Sequence, residues 1–516
     1  MADAPTEADV LIVGAGPTGL VMAIWLTKLG VRVRIVDKLA EPGTTSRALA
    51  VQARTLEFYQ QVGLAEAIVE RGHKVPALNL WVKGARAARV PLQDMGQGLT
   101  PFSYLIIFPQ DEHERLLIAH LAELGVQVER CLELTGFEDN GHTVLATLRR
   151  SDGSEEFSSY TYLAGCDGAR SKVRDALNIG FPGGTYDHLF YVADVEAKGS
   201  PMDGELHVDL DEADFLAVFP LRGTGRARLI GSVREDAAKD HEHLRFEDVQ
   251  DRAIRNLQVE VTRVNWFSTY RVHHRVALQF RVGRAFLLGD AAHIHSPVGG
   301  QGMNTGIGDA VNLAWKLAAT LKAPSGVALL DTYEPERIAF ARRLVATTDR
   351  VFSGVINPSA LARFVRTSVI PSLAPPLFRV SLMRRLAFRT VSQIAVNYRH
   401  SPLSAGKAGT VHGGDRLPWL RVNIPGGDTS NHAPLQSLGW QFHIYGAISA
   451  HLKTVCTDRG IPVHVFPWQS DMTHTGLQRD AIYLVRPDGY VALANADSDE
   501  ATLKTYLSEH KIGTIA

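Results

Sequence analysis

The feature that most constrains the fold is a strand, glycine turn, helix, strand and acid in that order near the start of the chain. The apolar run 9–13 enters the sequence Gly-Ala-Gly-Pro-Thr-Gly at 14–19. An apolar stretch of helical length follows to about Gly30, and the alternating run 31–36 stops at Asp37. This order is typical of the first half of a doubly wound α/β sheet that binds a dinucleotide.

Each glycine of the turn has a physical task. Gly14 permits the tight turn, Gly16 lets a pyrophosphate approach the backbone, and Gly19 lets the helix pack against the strand. The helix N-terminus then faces the phosphates, and the acid accepts hydrogen bonds from the adenosine ribose. The turn alone does not distinguish NAD from FAD. The predicted cofactor-binding residues of this region are Gly14, Gly16, Pro17, Thr18, Gly19, Asp37 and Lys38.

Composition excludes several other classes of protein. Lys plus Arg is 54 and Asp plus Glu is 55 in 516 residues, so the overall charge favours neither nucleic acid nor an anionic membrane as a partner. No run approaches the ~18 apolar residues of a membrane span, and the acidic N-terminus lacks the order of a signal peptide. We therefore expect a cytoplasmic protein. Three separated cysteines, Cys131, Cys166 and Cys456, predict no metal site and no redox dithiol.

Three further motifs favour FAD over NAD. Asp167-Gly168 follows an apolar strand, Gly289-Asp290 ends a second one, and a glycine run occupies 297–304 before a helix. A carboxylate at the end of a strand suits the hydroxyls of a ribityl chain. Backbone N–H groups beside a helix N-terminus stabilise negative charge on a reduced flavin. For Asp167 taken alone, a helix N-cap or an Asx turn stays open as the alternative.

The order of these motifs resembles the class A flavoprotein monooxygenases, which share the para-hydroxybenzoate hydroxylase fold. It is most similar to the three-domain phenol and polyketide aromatic hydroxylases, over about residues 8–400. The resemblance implies an α/β fold with a Rossmann-like FAD-binding domain interleaved with an antiparallel-sheet substrate domain. A helical segment and a thioredoxin-like C-terminal domain without CxxC follow, and Arg-Pro-Asp-Gly at 486–489 resembles a hairpin of that last domain. The implied boundaries are 1–75, 106–180 and 280–345 for the FAD-binding domain, 76–105 and 181–279 for the substrate domain, 346–400 for the helical segment, and 401–516 for the C-terminal domain.

The same resemblance assigns roles to individual residues. Arg47 would contact the FAD pyrophosphate, Gln110 the ribityl or adenosine side, and Asp290 the ribityl chain. Asp167 would serve both FAD and a transient nicotinamide. Arg54 is expected near the flavin ring, with an ion pair on a helix as an equal alternative. The residues expected along the ring are Pro297, Gly300, Gly302, Met303 and Asn304.

The resemblance also implies a reaction. FAD is reduced by NADPH or NADH, which binds transiently because no second glycine loop follows residue 40. Reduced FAD reacts with O2 to a C4a-hydroperoxide, which hydroxylates a small phenolic or polyketide-type aromatic substrate. His295 and the carbonyl of Pro297 are the candidate catalytic groups beside the ring, and a purely structural role for the histidine stays open. Between about 180 and 275 the hydrophobic pattern has period two, and the alternating runs on both sides of 223–225 predict an antiparallel hairpin. The side chains of this middle sheet that are candidates to face the substrate, with core or exterior positions as the alternative, are Tyr191, His207, Phe215 and Phe219.

Other functions on the same scaffold stay open at this point. Baeyer–Villiger oxygenation or inactivation of an aromatic antibiotic would use the same cofactor. A non-catalytic flavoprotein would bind FAD without substrate-stimulated oxidation of NAD(P)H. A flavin-dependent halogenase is disfavoured because the Trp-x-Trp-x-Ile-Pro signature is absent. A homodimer is compatible with the sequence, which carries no signal for or against it.

Overall fold

A computed structural model describes residues 8–43, 48–210, 215–233, 244–249, 252–323, 327–356, 359–424 and 427–513. Helices and sheets alternate along the chain, and the predicted α/β class is confirmed. In chain order the strands are β1 (Val10–Val13), β2 (Val33–Asp37), β3 (Ala50–Val51), β4 (His73–Val75), β5 (Ala77–Val82), β6 (Ala85–Pro91), β7 (Leu105–Ile107), β8 (Val128–Arg130), β9 (Leu132–Asp139), β10 (Val144–Arg150), β11 (Glu155–Tyr160), β12 (Tyr162–Gly165), β13 (Gly183–Lys198), β14 (Leu206–Asp209), β15 (Leu216–Pro220), β16 (Arg226–Ser232), β17 (Glu260–Val276), β18 (Arg281–Val282), β19 (Ala285–Leu287), β20 (His293–Ile294), β21 (Ala405–Ala408), β22 (Val411–His412), β23 (Arg421–Ile424), β24 (Gly427–Ser430), β25 (Gln441–Tyr445), β26 (Val463–Phe466), β27 (Ile482–Val485) and β28 (Val491–Asn495).

The helices connect these strands and cover the sheets. A π-helical turn, Val365–Val369, joins two of them into one continuous rod. The helices are α1 (Pro17–Lys28), α2 (Ala53–Val62), α3 (Ala65–Arg71), α4 (Gln110–Glu123), α5 (Lys172–Ala176), α6 (Arg252–Asn256), α7 (Gly302–Lys322), α8 (Val327–Leu330), α9 (Tyr333–Ile356), α10 (Ala360–Phe364), α11 (Ile370–Arg379), α12 (Ser381–Val391), α13 (Ala450–Thr457) and α14 (Glu500–Glu509).

A six-stranded sheet with the order β18-β19-β12-β1-β2-β8 forms the first layer. Its strands from β19 to β8 run parallel, and every residue of β1 is buried because helices cover both faces. α1 packs between this sheet and α7. The predicted unit of strand, glycine turn, helix and strand is therefore confirmed as local structure.

The eight-stranded sheet β20-β17-β13-β16-β15-β14-β5-β6 is antiparallel except where β14 meets β5. The predicted hairpin around 223–225 is confirmed as β15 paired with β16. Because side chains alternate along a strand, the sheet has two different faces. One face packs on α6 and its flanking residues, and the other packs on β3 and β7 beside the parallel sheet.

Two expectations about the later part of the chain are wrong in detail. The apolar pattern of residues 309–321 predicts an amphipathic helix. The helix is present as α7, but it is buried on nearly all sides because neighbours enclose it. The Gly/Pro-rich composition of 401–418 predicts a connector, yet this stretch contains β21 and β22 of the C-terminal sheet, whose order is β22-β21-β28-β27-β25-β26. The thioredoxin-like character of that sheet stays a prediction.

The division into four domains stays a proposal. Its support is that strands from 76–105 and 181–279 share the eight-stranded sheet, while those from 401 onward form the C-terminal sheets. Within the described ranges, no helix combines the length and the apolar character needed to cross a membrane.

Candidate active site

The glycine turn at 14–19 is held tightly at two of its three glycines. Gly14 has a φ of 101°, and a Cβ built on it would lie 2.3 Å from the carbonyl oxygen of Cys166. A Cβ on Gly19 would lie 1.9 Å from the carbonyl oxygen of Gly14. A Cβ on Gly16 would meet no atom within 4 Å. The turn is thus packed against β12 and α1, and it is open only at Gly16.

A cavity of about 240 Å³ opens in front of this turn. Asp37 borders it, and its carboxylate accepts the backbone N–H groups of Ala15 at 2.7 Å and Leu39 at 2.8 Å. The guanidinium of Arg130 lies 3.8 Å from the same carboxylate, and its buried Nη2 has no hydrogen-bond partner among the described residues. Gly14, Gly16 and Lys38 also line this cavity.

Asp167 borders the cavity and also contacts the first turn of α5, whose N-cap is Ser171. Its carboxylate accepts the hydroxyl of Ser171 at 2.6 Å and the backbone N–H groups of Lys172 at 2.6 Å and Val173 at 3.1 Å. Burial raises the pKa of this carboxyl, against the effect of those hydrogen bonds. Asp167 therefore supports the start of the helix without being its N-cap, and its side chain remains at the cavity wall.

Gln110 lies at the start of α4 and links two segments beside the cavity. Its Oε1 accepts the N–H of Ala48 at 3.3 Å, and its Nε2 donates to Glu114 at 2.8 Å. Glu114 lines the cavity, and burial raises the pKa of its carboxyl. Arg47, the predicted pyrophosphate contact, lies outside the described residues.

Asp290 is exposed in the 3-10 turn Gly289–Ala291, directly after β19. The backbone of Gly289 lies against Thr18 of the glycine turn, because a Cβ on Gly289 would be 2.7 Å from the Thr18 hydroxyl oxygen. The N–H of Gly289 donates to Asp309 at 3.0 Å. Residues 14–19 and 289–290 are therefore neighbours in space although they are far apart in the chain.

The amide of Asn304 is fully engaged within the protein. Its Oδ1 accepts the N–H of Gln52 at 2.9 Å and the hydroxyl of Thr55 at 2.7 Å, and its Nδ2 donates to the carbonyls of Ala50 and Gly300, both at 2.8 Å. Asn304 thus fastens the second glycine loop to β3. These contacts give the side chain a positioning role, and the contact of Asn304 with the ring edge stays a prediction.

The N-terminus of α7 is open beside that loop. Gly302 and Met303 are partly exposed, and no side chain caps the helix. The first N–H groups of a helix have no carbonyl partner within the helix, so they are available to an anionic or carbonyl group. Gly299 and Gly300 have φ values of 74° and 61°, which place this loop in the left-handed region that glycine favours.

His295 lies at the same place. Its Nδ1 is 2.8 Å from the carbonyl oxygen of Ser296, and its Nε2 is buried without a partner in the described part of the chain. A carbonyl only accepts, so Nδ1 carries the proton and Nε2 presents a lone pair. Burial lowers the pKa of His295 to about 4, so the ring is neutral at pH 7. The carbonyl of Pro297 accepts the N–H of Gly300 at 3.0 Å.

Arg54 does not border the cavity at the glycine turn. Its buried guanidinium donates to Glu57 at 2.8 Å and to the carbonyl of Asp488 at 2.6 Å. Burial would raise the pKa of Glu57, but Arg416 and Arg54 lower it to about 2. These contacts match the ion-pair alternative, so Arg54 is left out of the proposed catalytic group.

Four aromatic side chains, here called the aromatic face, lie on the side of the eight-stranded sheet that packs toward β3. All four are partly buried and pack with a cluster that includes Ala50, against which Gly300 of the second glycine loop lies. The sequence singled out two of them and missed two, because alternation gives no sign of which face is used. The aromatic face consists of Phe215, Phe219, Trp266 and Tyr270.

Tyr191 and His207 lie on the opposite side of this sheet. Tyr191 packs among the aromatic rings of Phe246 and Phe267. Trp81 Nε1 donates to His207 Nδ1 at 3.0 Å, and His207 Nε2 lies 2.8 Å from Asp203. Both side chains therefore occupy core positions, which is the alternative that the sequence left open to a contact with the substrate.

A buried ion-pair network, which no local sequence pattern indicates, joins the Arg-Pro-Asp-Gly hairpin to α7 and α9. Arg486 donates to Glu336 at 2.8 and 3.0 Å and to Asp488 at 3.0 and 2.6 Å. Lys316 donates to Glu336 at 2.8 Å. Burial alone would raise the pKa of Glu336, but Arg486 and Lys316 hold it well below its usual range.

The cavity and its neighbours fit a flavin dinucleotide. Gly16 leaves room for a pyrophosphate and Asp37 suits a ribose, while Arg130 has a buried donor to which no described residue is hydrogen-bonded. On the far side, the open α7 terminus and the lone pair of His295 lie close together, because a Cβ on Gly302 would be 3.7 Å from His295 Nε2. Hydrogen-bonding groups therefore lie both at the cavity, which suits the nucleotide part, and at the second glycine loop, which suits a ring.

Comparisons with known proteins agree with this fit. The family model described as FAD binding domain matches residues 7–348. The 6-methylpretetramide 4-monooxygenase of Streptomyces rimosus is 34% identical, with 98% of this chain and 94% of that protein covered. The rifampicin monooxygenase of Rhodococcus hoagii is 31% identical, with 97% and 98% covered. The structure of an anhydrotetracycline hydroxylase from Streptomyces rimosus has a TM-score of 0.80 at 29% identity, over 99% of this chain and 100% of that chain. The chain therefore belongs to the FAD-dependent monooxygenases that are built on this FAD binding domain.

Proposed function

We propose that this monooxygenase hydroxylates a polycyclic phenolic or polyketide-type aromatic compound, with O2 and NADPH or NADH as co-substrates. The observation that carries the proposal is the aromatic face, which packs beside the second glycine loop and is only partly buried. Flat aromatic walls favour flat aromatic ligands because offset stacking adds to the burial of apolar area. The relatives named above act, by their names, on 6-methylpretetramide, rifampicin and anhydrotetracycline.

The residues proposed to hold FAD lie at both ends of the site. Gly16 leaves the pyrophosphate path open, Gly14 and Gly19 hold the turn against β12 and α1, and Asp37 receives the ribose. Asp290 stands next to the glycine turn for the ribityl chain. Bound FAD supplies the redox chemistry of the reaction, which is hydride acceptance from the nicotinamide and activation of O2. The remaining residues proposed for this role are Pro17, Thr18, Lys38, Gln110, Asp167, Gly300, Gly302, Met303 and, from the sequence alone, Arg47.

His295 is proposed to hold the hydroxyl of the substrate. Its Nε2 carries a lone pair, because the carbonyl of Ser296 fixes the proton on Nδ1. A phenol whose O–H donates to this nitrogen gains electron density in its ring and reacts faster with an electrophilic oxygen. With a pKa of about 4, the imidazole accepts a hydrogen bond without removing the proton completely.

We expect His295→Phe to lower kcat for hydroxylation by roughly ten- to hundredfold, which is the low end for loss of an acid–base partner. NADPH consumption is expected to continue with release of H2O2, because the variant keeps the FAD-binding residues. Coupling is measured as product formed per NADPH oxidised. His295→Gln, whose side-chain carbonyl can still accept, is the matched variant and should retain more coupling. Full coupling in His295→Phe would refute the assignment.

We expect Trp266→Ala to raise KM for a polycyclic substrate about two- to tenfold, which corresponds to the 0.5–1.5 kcal/mol of an aromatic pair. The matched control is Phe267→Ala, one residue further along β17, because Phe267 packs on the opposite side of the sheet. Initial rates with anthraquinone, naphthol and phenol substrates provide the measurement. Equal KM changes for the two variants would speak against the aromatic face as the substrate site.

Two other oxygenations would use the same site. The likeness to rifampicin monooxygenase favours antibiotic inactivation as a second candidate, and Baeyer–Villiger opening adds the same single oxygen. Product mass does not separate these outcomes, so product structure must be determined by NMR. A hydroxylated ring from a phenol supports the proposal, whereas an ester or lactone from a ketone overturns it in favour of Baeyer–Villiger chemistry.

A further inference from the structure

The helical rod and the helix that follows it expose an unusual amount of apolar surface. These elements, residues 359–391, are here called the basic helical surface. Leu361 is 73% exposed and Leu373 and Leu382 are 59% exposed, although side chains of this size usually lie inside a protein. The large apolar side chains exposed on this surface are Leu361, Phe364, Val365, Ile370, Leu373, Leu377, Val380, Leu382, Leu386 and Val391.

The apolar positions of α11 form a stripe that faces solvent. Ile370, Leu373 and Leu377, followed by Val380, recur at spacings of three and four residues, which place them on one side of a helix. A helix of a globular protein normally turns such a stripe inward. Here the other side of α11 packs on β6, so the stripe remains uncovered.

The same surface carries an excess of positive charge, although the chain as a whole is close to neutral. Between Asp349 and Asp415 the sequence contains no Asp or Glu. The overall charge of -1 hides this local excess, which is why composition gave no reason to expect an anionic partner. The basic residues of the basic helical surface are Arg363, Arg366, Arg379, Arg384, Arg385 and Arg389, of which Arg366 is buried. Arg350, Arg399 and Lys407 belong to the same interval but lie outside this surface.

Charge decides which occupant suits this surface. An isologous contact with a second copy would set arginines against arginines with no acid from 350–414 to pair them. An anionic bilayer suits both the leucines and the arginines of this surface, because leucines enter the acyl boundary while arginines reach the headgroup phosphates. We propose that the basic helical surface docks the protein on anionic lipid surfaces. The proposal does not depend on the substrate or on the proposed function.

Vesicle flotation with the FAD-loaded full chain tests this docking. We expect binding to phosphatidylcholine vesicles that contain phosphatidylglycerol, and little binding to phosphatidylcholine alone. Raised salt should weaken the binding, because arginine attraction to headgroups is screened. The double variants Leu373→Asp with Leu377→Asp, and Arg385→Glu with Arg389→Glu, should each bind on the order of tenfold more weakly.

Matched controls change the same residue types elsewhere on the surface. Phe157 is 66% exposed on β11 and Arg149 is exposed on β10, so Phe157→Asp and Arg149→Gln should bind as the parent does. All variants should keep the flavin spectrum of the parent and melt within a few degrees of it. Absent binding to anionic vesicles, or undiminished binding by both double variants, overturns the proposal. Two results would overturn the proposal in favour of a protein partner. One is a dimer in sedimentation that the leucine variant dissociates, and the other is binding confined to soluble polyglutamate.

Discussion

Replacing Gly16 by alanine is expected to lower the affinity for FAD about a hundredfold or more, roughly 3 kcal/mol, and to leave the fold unchanged. Gly16 has a φ of -75°, which alanine adopts readily, and a Cβ there meets no atom of the described segments within 4 Å. The added methyl group would therefore occupy only the path proposed for the pyrophosphate. FAD titration by fluorescence and the melting temperature of the FAD-free chain are the two measurements.

Two further alanine variants make this result specific. Gly19→Ala places a Cβ 1.9 Å from the carbonyl oxygen of Gly14, so α1 must shift and both FAD binding and stability should fall. Gly136→Ala on β9, where a Cβ also meets nothing within 4 Å, should change neither. Normal FAD affinity in Gly16→Ala would place the pyrophosphate elsewhere.

The second large effect is expected at Arg486. Arg486→Ala should lower the free energy of unfolding by about 3–5 kcal/mol, because it leaves the buried carboxylates of Glu336 and Asp488 without their main partner. Such a loss is a large fraction of the ~5–15 kcal/mol that stabilises a typical protein. Denaturant unfolding of the FAD-loaded protein measures it. Arg486→Lys should recover part of the loss, since it keeps the charge but not the paired geometry.

The control for Arg486 is an ion pair on the surface. Arg149 pairs with Glu133 at 2.8 Å while remaining 48% exposed, so Arg149→Ala should cost no more than about 1 kcal/mol. If Arg486→Ala were as mild as this control, the hairpin at 486–489 would not hold the C-terminal sheet to α7 and α9. The network would then be incidental to stability.

Local patterns predicted the parts of this molecule that depend on local physics. Gly14 and Gly19 could be assigned because a turn between a strand and a helix needs glycine at fixed spacing, and the hairpin around 223–225 followed from alternation. The motif singles out Asn304 as part of the second glycine loop, but its hydrogen bonds to Gln52 and Thr55 join segments about 250 residues apart. No local signal specifies contacts of that kind.

The same limit explains the residues that sequence analysis misjudged. For Arg54 the sequence leaves a place beside the flavin ring and an ion pair open, and for Arg486 it indicates only a hairpin. Their partners, such as Asp488 and Glu336, come from distant segments. Alternation along a strand separates two faces but does not show which one meets the cofactor. The sequence therefore points to Tyr191 as a substrate contact and misses Trp266. The role of each of these residues depends on how deeply its side chain is buried and on its contact partners, rather than on residue type.

The most direct test is to purify the protein, record its visible spectrum, and follow NADH and NADPH oxidation with polycyclic phenols and quinones. We predict a yellow protein whose NAD(P)H oxidation is stimulated by one such compound and whose product is heavier by one oxygen atom. A colourless protein that does not take up added FAD would contradict the assignment of the cofactor site and the mechanism that depends on it.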